Sequence, residues 1–193
     1  MKTIKLSDKF NIWIGRYTGS FSKETFLKYI KINNELAIQT NNNSVWIEIN
    51  TPCFSDINKF IRDQLKVIDG RDAINYAEHH WVYTQTKGFD LTWMHQHILV
   101  HPQGRSNILT DYTFTFYIQT PKDISGDEGH IVFETEDKQK HKFLPQEGDI
   151  FIFPADIRHT AIPTPNSDTD RIVYAGSVCI DVANQIKTTR SAI

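Results

Sequence analysis

The spacing of apolar residues changes near Gly70, and the two parts of the chain predict different elements. Before Gly70, two segments carry apolar residues at helical spacing, and we predict helices from Ser22 to Ile38 and from Ser55 to Gly70. Ser22 and Ser55 can cap the beginnings of these helices, and Gly70 can end the second one. The short runs NIWIGRY and VWIEI predict strands beside the helices.

After Gly70 the pattern becomes one of short β-type runs. Turn signals such as KG, HPQG and SGDEG separate the runs NYAEHHWVYTQT, FDLTWMHQHI, DYTFTFYIQT, HIVFET, KHKFLP, GDIFIFP, RHTAIP and RIVYAGSVCI. Strands in this number without long helices are typical of a sandwich or a small barrel, and a jelly roll fits the number. We therefore predict a mainly β fold, with the two N-terminal helices packed on one outer face.

The length and composition predict a single domain. The chain has 193 residues, of which 39% are hydrophobic and 23% are charged, as in ordinary globular proteins. We expect residues 1–70 to form a mixed α/β support, residues 71–182 the jelly-roll core and residues 183–193 a tail.

The net charge and the lengths of the apolar runs also limit which classes of partner we expect. The formal net charge is −2, which argues against a nucleic-acid binder because such proteins normally carry a basic surplus. No apolar run approaches the roughly 20 residues that span a bilayer, and the first residues lack the apolar stretch of a signal peptide. We expect a cytoplasmic protein without a membrane partner.

Three histidines fit a metal site. His95 and His97 are two residues apart in a predicted strand, so their side chains project to the same face. His159 follows the apolar strand that ends at Pro154 and is the natural third ligand. A pair of histidines at this spacing is often only a surface feature, but three imidazoles from two strands form a facial ligand set that leaves coordination positions open.

Five segments in order extend this pattern to a family resemblance. From about Gly88 to Val178, KGFDLTWMHQH, FTFYIQTP, GDEGHIVFE, GDIFIFPADIRH and RIVYAG resemble the double-stranded β-helix of iron- and 2-oxoglutarate-dependent oxygenases. The prolyl-hydroxylase-like branch of bacteria and phages is the most similar. The resemblance implies a proximal histidine, a ligand two residues later, a distal histidine and a basic residue on the last strand that binds 2-oxoglutarate.

The chain departs from the family pattern at the second ligand. The family has Asp or Glu where this chain has His97. Imidazole suits ferrous iron, although the replacement removes one negative charge. Two alternatives stay open: His101 as the proximal ligand with Gln103 in the acid position, and Asp111 as a reserve ligand that completes the set.

Arg171 is the predicted anchor of 2-oxoglutarate. A guanidinium presents a planar fork that binds a carboxylate through two hydrogen bonds. The alternative is a surface arginine in the loop NSDTDR, paired with Asp168 or Asp170.

Tyr117 is the second candidate for the same carboxylate. It shares one face of its predicted strand with Thr113 and Thr115, which suits a polar pocket inside a barrel. The resemblance also indicates this tyrosine. The alternative is an ordinary half-exposed strand face.

These observations predict an iron(II)- and 2-oxoglutarate-dependent dioxygenase. With O2 as the further cosubstrate, it would hydroxylate a C–H bond of a protein, such as a prolyl side chain, or of another substrate. GDIFIFPADIRH also resembles the second motif of cupins, with Asp156 in place of a glycine, so a metal protein that needs no 2-oxoglutarate is an alternative. A non-enzymatic jelly-roll binding module is a third. The sequence leaves the substrate and the oligomeric state open.

Overall fold

The computed structural model describes residues 1–19, 21–37, 44–46, 52–70, 73–88, 93–97 and 111–180. Within these ranges the elements are, in order, β1 (Lys2–Lys5), β2 (Asn11–Arg16), α1 (Lys23–Ala37), β3 (Ser44–Trp46), α2 (Pro52–Asp69), β4 (Ala73–Gln85), β5 (Tyr112–Gln119), β6 (Ile131–Glu134), β7 (Lys140–Phe143), β8 (Asp149–Pro154), β9 (Arg158–Ala161) and β10 (Arg171–Ile180). The prediction of a mainly β protein with N-terminal helices in the sequence is confirmed. Neither helix in these ranges is long and apolar enough to cross a membrane.

The strands of the described ranges form a large sheet and a small one. The large sheet has the order β1-β2-β8-β5-β10-β4-β3, and the small sheet has the order β7-β6-β9. All of these strand pairs are antiparallel. The strands from the first seventy residues thus extend the sheet that contains β5, β8 and β10.

The helix boundaries agree with the sequence at two of the three ends that can be compared, since the predicted end at Ile38 lies outside the described residues. The Ser22 hydroxyl accepts a hydrogen bond from the Thr25 amide at 3.2 Å, as expected of an N-terminal cap. Gly70 follows the end of α2 with φ of +82°, a conformation that favours glycine. The prediction that Ser55 begins α2 is wrong, because α2 begins at Pro52 and the Ser55 hydroxyl donates to the Pro52 carbonyl. Proline suits a first helical turn, where its missing amide hydrogen needs no partner.

Two predictions about strands differ from the structure. The run FDLTWMHQHI was expected to be a strand, but its described part, residues 93–97, has a single β-bridge between His95 and His159. β1 was not predicted, since KTIK is short and mostly polar. Residues 47–49 of VWIEI, residue Ile38, the segment 98–110 and the tail 183–193 lie outside the described residues.

Two apolar clusters occupy opposite faces of the large sheet. The first combines buried side chains of both helices with buried side chains of the large sheet, among them Phe116 and Tyr174. The second combines Tyr117 and Val173 of the large sheet with Phe133 of the small sheet, so it lies between the two sheets. Adjacent residues such as Phe116 and Tyr117 fall in different clusters because successive strand side chains point to opposite faces.

Candidate metal centre

Backbone hydrogen bonds hold the segment 93–97 against the chain that follows β8. The His95 amide donates to the His159 carbonyl at 3.0 Å, and the His159 amide donates to the His95 carbonyl at 2.9 Å. The His97 amide donates to the Ala155 carbonyl at 3.0 Å. This pairing brings two histidines next to a third one that lies more than sixty residues away in the sequence.

The three predicted histidines form one cluster. Each offers a ring nitrogen, and the three nitrogens lie within 4.8 Å of one another. The Nε2 atoms of His97 and His159 are 3.2 Å apart. Three imidazole nitrogens in this arrangement are a suitable donor set for ferrous iron or another first-row divalent metal.

Hydrogen bonds at Nδ1 orient two of the three rings. Nδ1 of His95 lies 3.2 Å from the Trp93 carbonyl, and Nδ1 of His159 lies 3.2 Å from the Ile157 carbonyl. A carbonyl can only accept, so Nδ1 carries the hydrogen in both rings. The lone pair of each ring is then on Nε2, where it can bind a metal.

Burial keeps two of the imidazoles neutral. Burial lowers the pKa of His97 to about 3, and the charge of nearby His95 adds to this effect. Burial likewise lowers the pKa of His159 well below its ordinary value, with smaller contributions from His97 and His95. Metals bind the neutral form of histidine, so these two rings are in the binding-competent state at neutral pH.

Arg171 is buried, with 2% of its surface exposed. Its Nη2 donates to the Tyr117 hydroxyl at 3.2 Å, and its Nη1 lies 3.4 Å from the Ile162 carbonyl. No carboxylate among the described residues forms an ion pair with it. The interpretation as a surface arginine is therefore wrong, and Asp168 of that loop pairs instead with Lys87 at 2.5 Å.

Tyr117 lies beside Arg171 in the space between the sheets. Its side chain is almost completely buried, and its ring centroid is 5.3 Å from the guanidinium carbon. Burial raises the pKa of Tyr117, and the charge of Arg171 partly opposes this. Thr113 and Thr115 on the same face are buried too, so the alternative of a half-exposed strand face is wrong.

β4 adds residues that the sequence reasoning missed. Gln85 is the Cα partner of Arg171 across the β4–β10 pair, so both side chains project to the same face. Gln85 is 2% exposed, and its Oε1 has no hydrogen-bond partner within the described ranges. Tyr83 and Trp81 precede it on the same face. The alternation of WVYTQ was the available signal, since one face of it carries only aromatic and amide groups.

The alternative ligands are not part of this cluster as far as the structure describes them. The Asp111 carboxylate accepts a hydrogen bond from the Ile180 amide at 2.7 Å, and Asp111 is not a member of the histidine cluster. His101 and Gln103 lie outside the described residues. His80, which was not among the alternatives, is a buried histidine outside the cluster, with Nδ1 2.6 Å from the Tyr174 hydroxyl.

Solved structures with the same fold are 2-oxoglutarate- and iron(II)-dependent oxygenases. The viral collagen prolyl hydroxylase of Paramecium bursaria Chlorella virus-1 is 14% identical and has a TM-score of 0.62, with 86% of this chain and 90% of that chain covered. It has also been solved as a 2-oxoglutarate complex. A Trichoplax adhaerens prolyl hydroxylase, in complex with a peptide fragment of the hypoxia inducible factor oxygen degradation domain, is 13% identical with a TM-score of 0.58 over 90% of this chain and 84% of that chain.

A third structure with this fold acts in a small-molecule pathway. It is a non-heme alpha-ketoglutarate-dependent carbocyclase from nogalamycin biosynthesis, 14% identical with a TM-score of 0.59 over 88% of this chain and 79% of that chain. No protein-family model matches the sequence, and no curated protein matches it. At these low identities the structural similarity establishes the fold alone, and it is the 2-oxoglutarate- and iron(II)-dependent oxygenase fold predicted from the sequence.

Proposed function

We propose that the protein is an iron(II)- and 2-oxoglutarate-dependent dioxygenase that hydroxylates a C–H bond. The observation that carries the proposal is the buried guanidinium of Arg171, whose described contacts are a hydroxyl and a carbonyl. Burying a charge without a counter-charge is costly, so such a position is favoured when a ligand supplies the carboxylate. A second support is the cluster of His95, His97 and His159, whose ring nitrogens lie close enough together to hold one metal ion.

His95, His97 and His159 would hold the iron. Bound iron(II), with 2-oxoglutarate and O2, supplies the oxidising chemistry that hydroxylates the substrate and leaves succinate and carbon dioxide. The chain orients the ligand nitrogens through the Trp93 and Ile157 carbonyls. It also shields them, because the rings of Phe153 and Phe133 lie 4.7 and 6.2 Å from the His159 ring and keep water from that side.

Arg171 and Tyr117 would anchor the cosubstrate. 2-Oxoglutarate has a keto acid at one end, which suits a metal, and a carboxylate at the other end, which suits a guanidinium fork. The Tyr117 hydroxyl accepts from Arg171 and keeps its own hydrogen for the same carboxylate. Gln85 and Tyr83, on the neighbouring strand, complete the polar side of this pocket.

The fold and the substrate are also part of the proposal. We propose that the two sheets form a double-stranded β-helix, with α1 and α2 on the outer face of the large sheet. The substrate is a protein side chain, with prolyl as the first residue to test, because two of the similar structures are named as prolyl hydroxylases. The carbocyclase shows that the fold also serves other substrates, so the choice needs a direct experiment.

Anaerobic titration tests the reaction class. Iron(II) is added to metal-free protein, and 2-oxoglutarate is added afterwards. A visible metal-to-ligand charge-transfer band is expected only after the second addition. Iron binding without this band would favour a cupin-type protein that needs no 2-oxoglutarate, which an all-histidine ligand set also suits.

Substitution of Arg171 tests the anchor in the same titration. Arg171→Lys keeps the charge but loses the fork, and Arg171→Gln loses both. A charged hydrogen bond contributes roughly 1.5–3 kcal/mol, so we expect 2-oxoglutarate affinity to fall about ten- to a hundredfold. Iron affinity should stay nearly unchanged. Arg158→Gln is the matched control, since Arg158 forms a partly exposed ion pair with Glu134 away from Tyr117. Unchanged 2-oxoglutarate affinity in both Arg171 variants would contradict the proposal.

A further inference from the structure

We propose that Trp81 positions His97 as a metal ligand by stacking against its ring. The inference rests on the proposed metal site and assigns a role to a residue outside the ligand set. The Trp81 and His97 ring centroids are 5.2 Å apart, and the ring planes differ by 22°. Offset-stacked aromatic pairs have their centroids 4.5–7 Å apart, so this is an effective stacking contact.

The other two histidines are oriented by a different means. Carbonyls of Trp93 and Ile157 accept from Nδ1 of His95 and His159, and each carbonyl lies two residues before the histidine that it orients. For His97, the described ranges offer no such acceptor at Nδ1. The His97 ring is instead nearly parallel to two neighbouring rings, that of Trp81 and that of His159, whose plane differs from it by 19°. Stacking therefore fixes the plane of His97 where hydrogen bonds fix the planes of the other two.

Trp81 is itself held in place by a paired strand. It lies in β4, where its Cα partners are Ala175 on β10 and Trp46 on β3. A side chain on a strand paired on both sides moves little, so its ring can hold the plane of a neighbour. His97 is attached to the opposite support, because its amide donates to the Ala155 carbonyl beyond β8. The contact thus joins the segment 93–97 to β4.

The stacking of Trp81 on His97 also affects the charge that His97 carries when it binds a metal. An imidazole that binds a metal dication acquires positive character, and the face of an indole ring attracts positive charge. His97 is a neutral ligand, so the bound metal keeps its full charge unless other groups compensate for it. The indole face of Trp81 stabilises the metal-bound form of His97 more than the free form. Removing it should therefore weaken metal binding and alter the ligand field.

Cobalt(II) is the probe, since its visible absorption reports the coordination geometry without any turnover. We expect Trp81→Leu to bind cobalt(II) at least about tenfold more weakly, the lower end of the effect of groups that orient metal ligands. Its cobalt absorption spectrum should also differ from that of the unchanged protein. Trp81→Phe keeps a smaller aromatic face, so its affinity should fall by only about two- to threefold, with a smaller change of the spectrum, as expected of a weaker stack.

Trp13→Leu is the matched control, because Trp13 is another partly buried tryptophan on a strand and packs against Tyr112. It should lose stability and keep both cobalt affinity and spectrum. Wild-type affinity and spectrum in a folded Trp81→Leu protein would overturn the inference. If that variant does not fold, Trp81→Phe decides: affinity within the error of the wild type and an identical spectrum would overturn it. Failure of the unchanged protein to bind cobalt(II) would instead count against the metal site itself.

Discussion

His159 is the residue on which the proposed metal site depends most. It is buried, it lies in β9 of the small sheet, and its backbone pairs with His95 in both directions. Its ring nitrogen at Nδ1 is committed to the Ile157 carbonyl, which leaves Nε2 for the metal. Rotation of this ring would therefore break this hydrogen bond and turn Nε2 away from the proposed metal position.

His159→Ala should abolish stoichiometric metal binding. Two remaining imidazoles at the site cannot form the facial set of three, and the lost ring also leaves space next to Phe153. Iron content measured on protein reconstituted without oxygen checks this. His130→Ala serves as the control, since the His130 ring lies near the Asp127 and Glu128 carbonyls, outside the cluster. Unchanged iron stoichiometry in His159→Ala would remove His159 from the site.

The site residues that could be selected from the sequence are those marked by a pattern within a few neighbouring positions. His95 and His97 are two positions apart, and Arg171 begins a strand, so strand geometry and a short motif were sufficient to select them. The alternation of WVYTQ places Trp81 and Gln85 on one face of a strand, but it cannot show what that face meets. Their proposed roles depend on β4 lying next to β10 and facing the segment 93–97, and these are contacts between distant parts of the chain.

At the scale of the element, β10 separates the buried polar side chains of Arg171 and Tyr117 from the helices. Arg171 and Val173 face the space between the sheets, whereas Ile172 and Tyr174 belong to the cluster that includes the helices. The Tyr174 hydroxyl donates to Oδ1 of Asn58 on α2 at 2.7 Å. The strand that carries the proposed cosubstrate anchor on one face is thus tied to α2 on its other face.

Gly176→Ala should destabilise the protein by about 1–3 kcal/mol, the usual cost of overpacking a core. A β-carbon at Gly176 would lie 2.7 Å from Cδ2 of His80 and 2.7 Å from Cε1 of Phe114, so at least one ring would have to shift. Both rings are buried, which leaves them little room. Urea unfolding of both proteins measures the difference. Equal midpoints and slopes would show that the rings adapt without cost and would contradict the prediction.

The elements also show why some sequence predictions were wrong. Helical periodicity located α2 correctly, but periodicity does not mark the first turn, where Pro52 and Ser55 are both acceptable residues. The run around His95 has the composition of a strand, yet its described part makes only one bridge. Whether a β-type segment becomes a paired strand depends on a neighbour with free backbone groups, which composition cannot reveal.

At the scale of the whole molecule, the proposed metal ligand His159 and the proposed cosubstrate anchor Arg171 lie on different sheets. His159 lies on β9 of the small sheet, and Arg171 lies on β10 of the large sheet. The described contact between the sheets is otherwise mainly apolar, through the cluster that contains Phe133 and Tyr117. A cosubstrate that binds the metal at one end and Arg171 at the other would therefore connect both sheets and stabilise the molecule as a unit.

This connection predicts a rise in melting temperature that requires both iron(II) and 2-oxoglutarate. At a concentration one hundred times its dissociation constant, a ligand of the folded state adds about 2.7 kcal/mol to the free energy of unfolding. For a domain of 150–250 residues, each kcal/mol raises the melting temperature by about 2–4 °C. We therefore expect 2-oxoglutarate at this concentration to raise the melting temperature of the iron(II)-loaded protein by about 5–11 °C under anaerobic conditions.

The Arg171→Gln variant shows how much of the melting-temperature shift caused by 2-oxoglutarate depends on its contact with Arg171. Its iron(II) shift should match that of the unchanged protein, because Arg171 is not among the metal ligands. Tenfold weaker 2-oxoglutarate binding removes about 1.4 kcal/mol of stabilisation at the same concentration, or roughly 3–6 °C. Without iron, 2-oxoglutarate should shift neither protein by a comparable amount, because the keto acid end has no partner. Equal 2-oxoglutarate shifts in the two iron-loaded proteins would mean that the cosubstrate does not reach Arg171 and does not connect the two sheets.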